Sequence, residues 1–461
     1  MKKYKVLVAS MWAGSGHNSA GDLYAQVLKK DDRFEVVRFI SPTKYVDSQY
    51  SSLTKYLPGV YNFFVRYSPT LLSDAVTMYI FRMVDECVEI LRKEKPDILI
   101  GTHFSQLQCF KIAQWVLNTH PLTLETFLDY GRKSAAEVPF NIYLRPDYSI
   151  TYDEIAYEWL IKKMRGDRKH FIYGGHKARE EFRSVVNKYG SKNEAVKGLK
   201  KMFPEAPYDK IAEGKISVLI TSGGGGTVQR TYKLLKKIAQ VQKQNIELLN
   251  QYQFFIICGS NQGYFNKILR VRSKKLSWQN FFPFGWLDAK QYALVQFASN
   301  FPVLYSIAPA TMHELMETKC GPMLVHKLRG AHEMGNAEFL VNNKLGKYIL
   351  RMDELILEIF KKPDPVKLDK FADNVKKLLI AEESRLATFA DIVYSLIEPR
   401  TYPKIRQIYK VSFKHWLASV LMMFLILNLY NIFRFKNFIK VCFRKLKHRF
   451  RGKKESLAGK K

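Results

Sequence analysis

Two glycine-rich turns, about 210 residues apart, constrain this chain more than any other feature. The first is Ala13-Gly14-Ser15-Gly16-His17-Asn18-Ser19-Ala20. It follows the apolar run Val6-Leu7-Val8-Ala9 and precedes a helix-like stretch from Asp22 to Lys30. The second is Thr221-Ser222-Gly223-Gly224-Gly225-Gly226-Thr227, between the apolar run Ile216–Ile220 and a helix expected from Val228 to about Asn245. Glycine lets a backbone approach a bulky ligand. The helix start behind each turn offers free N–H groups and a partial positive charge to an anion. Each turn also has a plain reading: a tight turn with a surface histidine for the first, a flexible hinge for the second.

Behind each turn, strand and helix alternate. Val6–Ala9, Phe34–Ile40, Pro96–Ile100, Leu124–Leu128, Tyr148–Thr151 and His170–Tyr173 read as strands. Leu23–Leu28, Ala75–Glu94, Gln106–Leu117 and Ala178–Tyr189 read as helices. From Tyr189 to Lys215 the chain is polar and lysine-rich and reads as a linker. The pattern then restarts with strands at Ile216–Ile220, Phe254–Cys258, Phe281–Phe284, Val303–Tyr305 and Pro322–Val325. This is an α/β pattern with parallel sheets. It predicts two Rossmann-like domains facing one cleft, because such sheets bind ligands beyond the carboxyl ends of their strands. The expected division is a first domain over 1–200 and a second over 214–381. A crossover helix and linker over 382–411 follow, its helix Glu382–Ile397, and then a tail over 412–461.

The tail carries much of the charge. The chain has a formal net charge of +32, and from Pro399 to Lys461 there are 17 Lys/Arg against one acid, Glu455. Such a surface attracts phosphate, in nucleic acid or on anionic lipid. The 19 residues His415–Phe433 decide between them, since they hold no Lys, Arg, Asp or Glu. That is near the length of a membrane-spanning helix. Both flanks are basic, which favours an in-plane or re-entrant helix with all its charge on one side; a buried core helix is the plain alternative. A nucleic-acid role leaves the apolar run unexplained. The five cysteines are scattered and without metal spacing, so neither a disulfide framework nor a metal site is expected. The first strand begins within five residues of Met1, so no secretory leader is expected.

Several side chains are placed to do chemistry. His17 suits proton transfer near neutral pH. His103 and Asp129 each follow a strand on the same cleft edge, and Gly16 and Asn18 flank His17. On the other side, Gly223, Gly224 and Gly225 form a phosphate cradle without the lysine of a triphosphatase loop. Thr311 begins a helix-like stretch with Met312, and Glu314 lies at capping-box spacing from Thr311. Glu314 reads either as a cap or as a carboxylate for ribose hydroxyls. His332 and Glu333 lie at a loop-to-helix transition where they read as sugar ligands or as an exposed first turn. Tyr61, Phe63, Phe64 and Arg66 sit in an aromatic segment that suits a membrane interface or a core, and Trp416 lies near the start of the apolar run.

Taken in order, Gly14–Ala20, Tyr56–Pro69, Thr102-His103, Leu128-Asp129-Tyr130, Thr221–Gly226, Phe284-Gly285-Trp286 and Gly330–Ala337 resemble the family 28 glycosyltransferases of the GT-B fold. The likeness is greatest to the monogalactosyldiacylglycerol synthases and processive diacylglycerol glucosyltransferases. The resemblance covers roughly Lys5 to Gly346. It implies inverting transfer of a hexose from a nucleotide sugar, usually UDP-linked, to a membrane lipid such as diacylglycerol. No other cofactor is implied, and the setting is the cytoplasmic face of an anionic membrane. His17 would be the base, with Asp129 the competing candidate. Phe284, Gly285 and Trp286 would lie beside the base of the nucleotide, Thr311 and Met312 by the phosphates, Glu314 on the ribose, and His332 and Glu333 near the sugar. The chain departs from the family at Ile307-Ala308-Pro309-Ala310, at His332 and at Gly131-Arg132-Lys133. The alternatives are a non-catalytic lipid- or nucleotide-binding protein of the same fold and a sugar-nucleotide epimerase.

Overall fold

The computed structural model describes residues 3–11, 15–42, 81–131, 141–164, 167–221, 228–328, 333–361, 364–397, 412–414, 416–432 and 435. Of the expected site residues, Tyr61, Phe63, Phe64, Arg66, Gly223, Gly224, Gly225 and His332 lie outside them.

The chain begins with β1 (Tyr4–Ser10), α1 (Ser15–Lys29), β2 (Phe34–Ile40), α2 (Phe81–Glu94), β3 (Ile98–Gly101), α3 (Phe104–Leu117), β4 (Leu122–Thr126), β5 (Tyr148–Thr151) and β6 (Phe171–Tyr173). These strands form one parallel sheet in the order β2-β1-β3-β4-β5-β6. Period-two alternation explains why it is covered on both faces. Val6, Val8, Ile98 and Ile100 enter one core, while Leu7, Ala9 and Leu99 enter another with α2 and α3. α4 (Glu180–Tyr189) and α5 (Lys192–Met202) lead to β7 (Ile216–Thr221), β8 (Tyr252–Ile257), β9 (Phe281–Phe284) and β10 (Phe301–Leu304). α6 (Pro309–Glu317), β11 (Met323–His326), α7 (Met334–Asn342) and β12 (Gly346–Ile349) complete this half. Its sheet is also parallel, in the order β12-β11-β10-β7-β8-β9.

The structure corrects three expectations. The polar stretch after Tyr189 is not a plain linker. Ser191 accepts a hydrogen bond from the backbone N–H of Glu194 and starts α5, which buries Ala195, Val196 and Leu199. The fourth strand begins two residues earlier than expected, so Phe127 and Leu128 already belong to the loop leaving the sheet. The helix expected over Glu382–Ile397 is two helices, α8 (Pro365–Ala387) and α9 (Phe389–Ser395), meeting at Thr388. They lie against the first sheet's elements. The Glu382 carboxylate accepts from the backbone N–H of His176 at 2.8 Å, and the Phe389 ring lies 4.5 Å from that of Tyr24.

Residues 416–432 form a helix, α10, on the same face of the first sheet as α2 and α3. Ser419, Met423, Ile426 and Tyr430 follow an i, i+4, i+7, i+11 pattern and are buried. Among the described residues no helix is long and apolar enough to cross a membrane.

Glu125, in β4 opposite Gly101, is buried. Burial pushes its carboxyl up to about 8, against the opposing charge of Lys111. A raised acid contributes stability below its unfolded pKa, and that contribution is lost as pH rises through the folded value. Denaturant melts of the parent and Glu125→Gln between pH 5 and 9 test this. The parent's advantage should shrink with rising pH by on the order of a few kcal/mol; a constant difference would show that the carboxyl is not desolvated.

A candidate active site at two facing switch points

In each sheet the chain adds strands first to one side and then to the other. The crevice at such a reversal lies at the carboxyl ends of the central strands. In the first sheet it falls between β1 and β3, and the segments leaving them carry His17, Thr102 and His103. In the second it falls between β7 and β10, where Thr221 and the Tyr305–Ala310 loop emerge. The two reversals face each other. A Cβ added at Gly16 would lie 3.9 Å from the Cβ of Ala310, an ordinary contact distance, so the first turns of α1 and α6 adjoin.

The hydrogen bonds of His17 define its protonation. Its Nδ1 lies 2.5 Å from the carbonyl oxygen of Thr102. A carbonyl can only accept, so Nδ1 carries the proton and Nε2 keeps its lone pair. The Thr102 hydroxyl donates to the His17 carbonyl at 2.9 Å and ties the same two segments again. Burial lowers the pKa of His17, while the Thr102 bond and the charge of Asp129 oppose the fall. The ring is neutral near neutral pH, as a proton acceptor must be.

His103 is the complementary partner. It caps α3, and its Nδ1 accepts from the backbone N–H of Ser105 at 3.2 Å. In the neutral ring the proton is therefore on Nε2. Burial first, and the neighbouring His17 second, hold its pKa well below the ordinary value. The two rings stand edge to face at 4.6 Å. One ring offers an acceptor nitrogen and the other a donor, which suits a hydroxyl that must be held and deprotonated.

Asp129 is engaged elsewhere. Its Oδ1 accepts from the Asn336 amide at 2.8 Å. That amide also donates to the carbonyl of Ile307 at 2.9 Å, and its oxygen accepts from the Tyr130 N–H at 2.8 Å. Asn336, fully buried at the start of α7, thus joins the loop after β4 to the loop after β10. The Asn18 side-chain oxygen accepts from the Ser10 hydroxyl at 2.6 Å, at the end of β1.

On the facing wall, α6 begins at Pro309 after Ala308, and no side chain caps it. Its first N–H groups and dipole are therefore open to an anion. Thr311 is the third helical residue, so the capping box with Glu314 does not form. Nor does Glu314 stand free for a ribose: Oε1 accepts from Arg179 Nε at 3.0 Å and Nη2 at 2.9 Å. Burial raises Glu314 to about 7 despite that partner. Two further residues of this wall, Met312 and Phe284, are buried. The Met312 side chain is in the core, and its N–H bonds to the carbonyl of Ala308. The Phe284 ring packs on Phe255, Tyr208 and Phe203. Next to it, Gly285 has open space around it, and Trp286 is 73% exposed, presenting a flat surface for a ring. Glu333 is buried and accepts from the Ser306 hydroxyl. Trp416 is remote from the cleft, its indole N–H donating to the Tyr143 hydroxyl at 2.9 Å. A cavity of about 900 Å³, lined by Phe301, Pro322 and Phe371 among others, opens on the sheet edge opposite the cleft.

The sequence reading quoted Thr102 and Asn336 within motifs but gave them no role, and it did not single out Arg179. Asn336 had a local signal, an amide in the first turn of a helix that opens with small residues. Thr102 acts through its carbonyl, which no side-chain pattern reveals.

No protein-family model matches this chain, and no curated protein sequence does either. Solved structures do resemble it. A glycosyltransferase from Rickettsia africae is 13% identical, with 87% of this chain and 100% of that one covered at a TM-score of 0.55. MnaA of S. aureus, solved with UDP, is 11% identical over 87% and 99% at 0.55. The UDP-GlcNAc 2-epimerase from Neisseria meningitidis, bound to UDP-GlcNAc, is 12% identical over 85% and 99% at 0.51. At these identities the likeness is one of fold. The two facing parallel sheets have the GT-B architecture.

The seam beside the site is tight enough to test. A Cβ on Gly335 would lie 1.9 Å from the Tyr130 carbonyl oxygen, and Gly131, at φ +75°, faces it. Both sides are backbone and cannot yield as a flexible side chain would. Gly335→Ala should therefore widen the interdomain distance measured between paired spin labels and lower the melting temperature. An unchanged distance would show that the seam adjusts without opening.

Proposed function

We propose that this chain is an inverting glycosyltransferase that moves a hexose from a UDP-linked sugar to a lipid hydroxyl at the cytoplasmic face of a membrane. The observation that carries this reading is the neutral His17, with a free Nε2 lone pair, set opposite the uncapped start of α6. The acceptor oxygen attacks the anomeric carbon while its proton passes to His17 Nε2. The bond from that carbon to the diphosphate breaks, and the charge leaves with the nucleotide. The N-terminus of α6 supplies N–H groups for that charge. His103 Nε2–H orients the acceptor, and Trp286 offers a face for the base. The charge of Asp129 supports the imidazolium that forms.

A second reading is a sugar-nucleotide epimerase, favoured by the fold's likeness to a UDP-GlcNAc 2-epimerase. It needs no lipid acceptor and gives no account of the apolar tail. Calorimetry with several nucleotide sugars, followed by mass spectrometry of a lipid extract incubated with the best ligand, separates the two. A glycolipid product supports the transferase; an isomerised nucleotide sugar formed without lipid replaces it with the epimerase.

His17→Ala should abolish transfer, with kcat down at least ~100-fold, while the dissociation constant for the nucleotide sugar holds; unaltered turnover would remove His17 as the base. The Asp129 charge raises the pKa of His17. Asp129→Asn should therefore move the acid limb of kcat/KM to lower pH. A limb that stays in place would assign it to another group.

A further inference from the structure

The outward face of α10 is as apolar as the face it buries. Leu417, Leu421, Phe424 and Ile432 follow an i, i+4, i+7, i+15 pattern and are exposed, Phe424 at 69%. One polar residue, Asn428, falls on this line, and its amide donates to the Phe424 carbonyl at 2.8 Å. The helix is not loosely attached. Trp416 donates to the Tyr143 hydroxyl, the Ser419 carbonyl accepts from the Asn141 amide at 3.2 Å, and the Tyr430 hydroxyl donates to Asp85 at 2.5 Å. Exposed beside its first turn, Trp115 stands edge to face with Tyr143 at 5.4 Å, which extends the apolar surface with aromatic rings.

We infer that this face is inserted in the plane of an anionic lipid bilayer, with α10 as a fixed keel of the first domain. Charge identifies the occupant. From Arg434 to the end, 12 Lys/Arg stand against one acid, directly after the apolar stripe. An apolar helix face with aromatic neighbours and adjoining basic charge matches the acyl boundary and headgroups of such a membrane. A second copy of this chain would bring like charge against like.

The helix also has a direction. Its start lies at Trp115, near the end of α3 farthest from His103. Its end lies at Asp85, in the first turns of α2, next to Glu86, which accepts from Ser41 just beyond β2. The stripe therefore runs toward the strand ends where His17 and His103 stand, so a lipid headgroup at the bilayer surface is brought to the acceptor side of the cleft. This last step rests on the lipid-acceptor reading; the insertion itself does not.

The test uses the full chain and vesicles of phosphatidylcholine with phosphatidylglycerol, with pure phosphatidylcholine as comparison. The double variant Leu421→Glu/Phe424→Glu touches only the exposed face. It should lower the vesicle-bound fraction at least tenfold at an unchanged melting temperature. In a second variant, Phe424→Trp, fluorescence should be quenched by lipids brominated on the acyl chain. Undiminished binding by the double variant, or an unquenched Trp, overturns the inference. So does a dimer in lipid-free light scattering that the double variant converts to monomer, which would make the face a self-interface. Calorimetry of the same samples with UDP-sugars reads the transferase proposal separately. Vesicle binding without nucleotide binding removes that proposal and leaves the keel; nucleotide binding with an unaffected double variant does the reverse.

Discussion

The contact on which the rest of the molecule depends is the backbone seam at Gly131 and Gly335. Two chain segments meet there without side chains between them, and Asn336 closes the contact with bonds to Asp129, Tyr130 and Ile307. The seam sets the separation of the two sheets' strand ends and hence the width of the cleft. Around it the core is continuous. Tyr130 stacks on Phe339 at 3.9 Å and bonds to His313 at 2.6 Å, and His313 stacks on His176 at 4.5 Å. Residues of both sheets fall in one apolar cluster. The ion pair Arg179–Glu314 also crosses between them. Such a pair adds little stability beyond its desolvation cost, but losing one partner leaves a buried charge, so it favours one relative placement of the halves.

Burial acts on the histidines along this seam in one direction. His103, His176 and His313 are all held below their ordinary pKa mainly by desolvation, His176 to about 4. His17 differs because two groups oppose the desolvation, the Thr102 carbonyl and the Asp129 carboxylate. The difference is one of degree, since at His176 a single backbone bond at Lys177 opposes the same desolvation. It also explains why Asp129 need not be the base to matter: a negative charge near an imidazole lowers the cost of the imidazolium.

Much of the fold was legible because the signals were local. Short apolar runs bounded by glycine or proline marked the strands, and both reversal-point turns announced themselves by composition. The boundaries that failed were governed by less obvious chemistry, such as Ser191 starting a helix in a lysine-rich stretch and Thr388 dividing another. At the candidate site the placement of His17 and His103 was legible, because both lie in segments just beyond strand ends. It was less so on the donor side. Glu314 carries the right charge, at a helix position that turns it toward Arg179, while Phe284 and Met312 are consumed by the core. Glu314 is fixed by Arg179, more than a hundred residues away, and Phe284 by rings of other segments, contacts that residue spacing does not encode.

The apolar run near the carboxyl end shows the same limit from the other side. Read alone, it is equally a core helix or a membrane segment, because both call for uninterrupted apolar residues. In the fold it divides lengthwise: Ser419, Met423, Ile426 and Tyr430 face α2 and α3, and Leu417, Leu421, Phe424 and Ile432 face out. The inward half belongs to the first sheet's apolar cluster, so removing the helix would disturb that cluster as well as any external contact. Anchoring and folding are therefore not separable by truncation. Only substitutions confined to the outer stripe act on one without the other, and that is why the helix must be understood first as a layer of the first domain and only then as a surface.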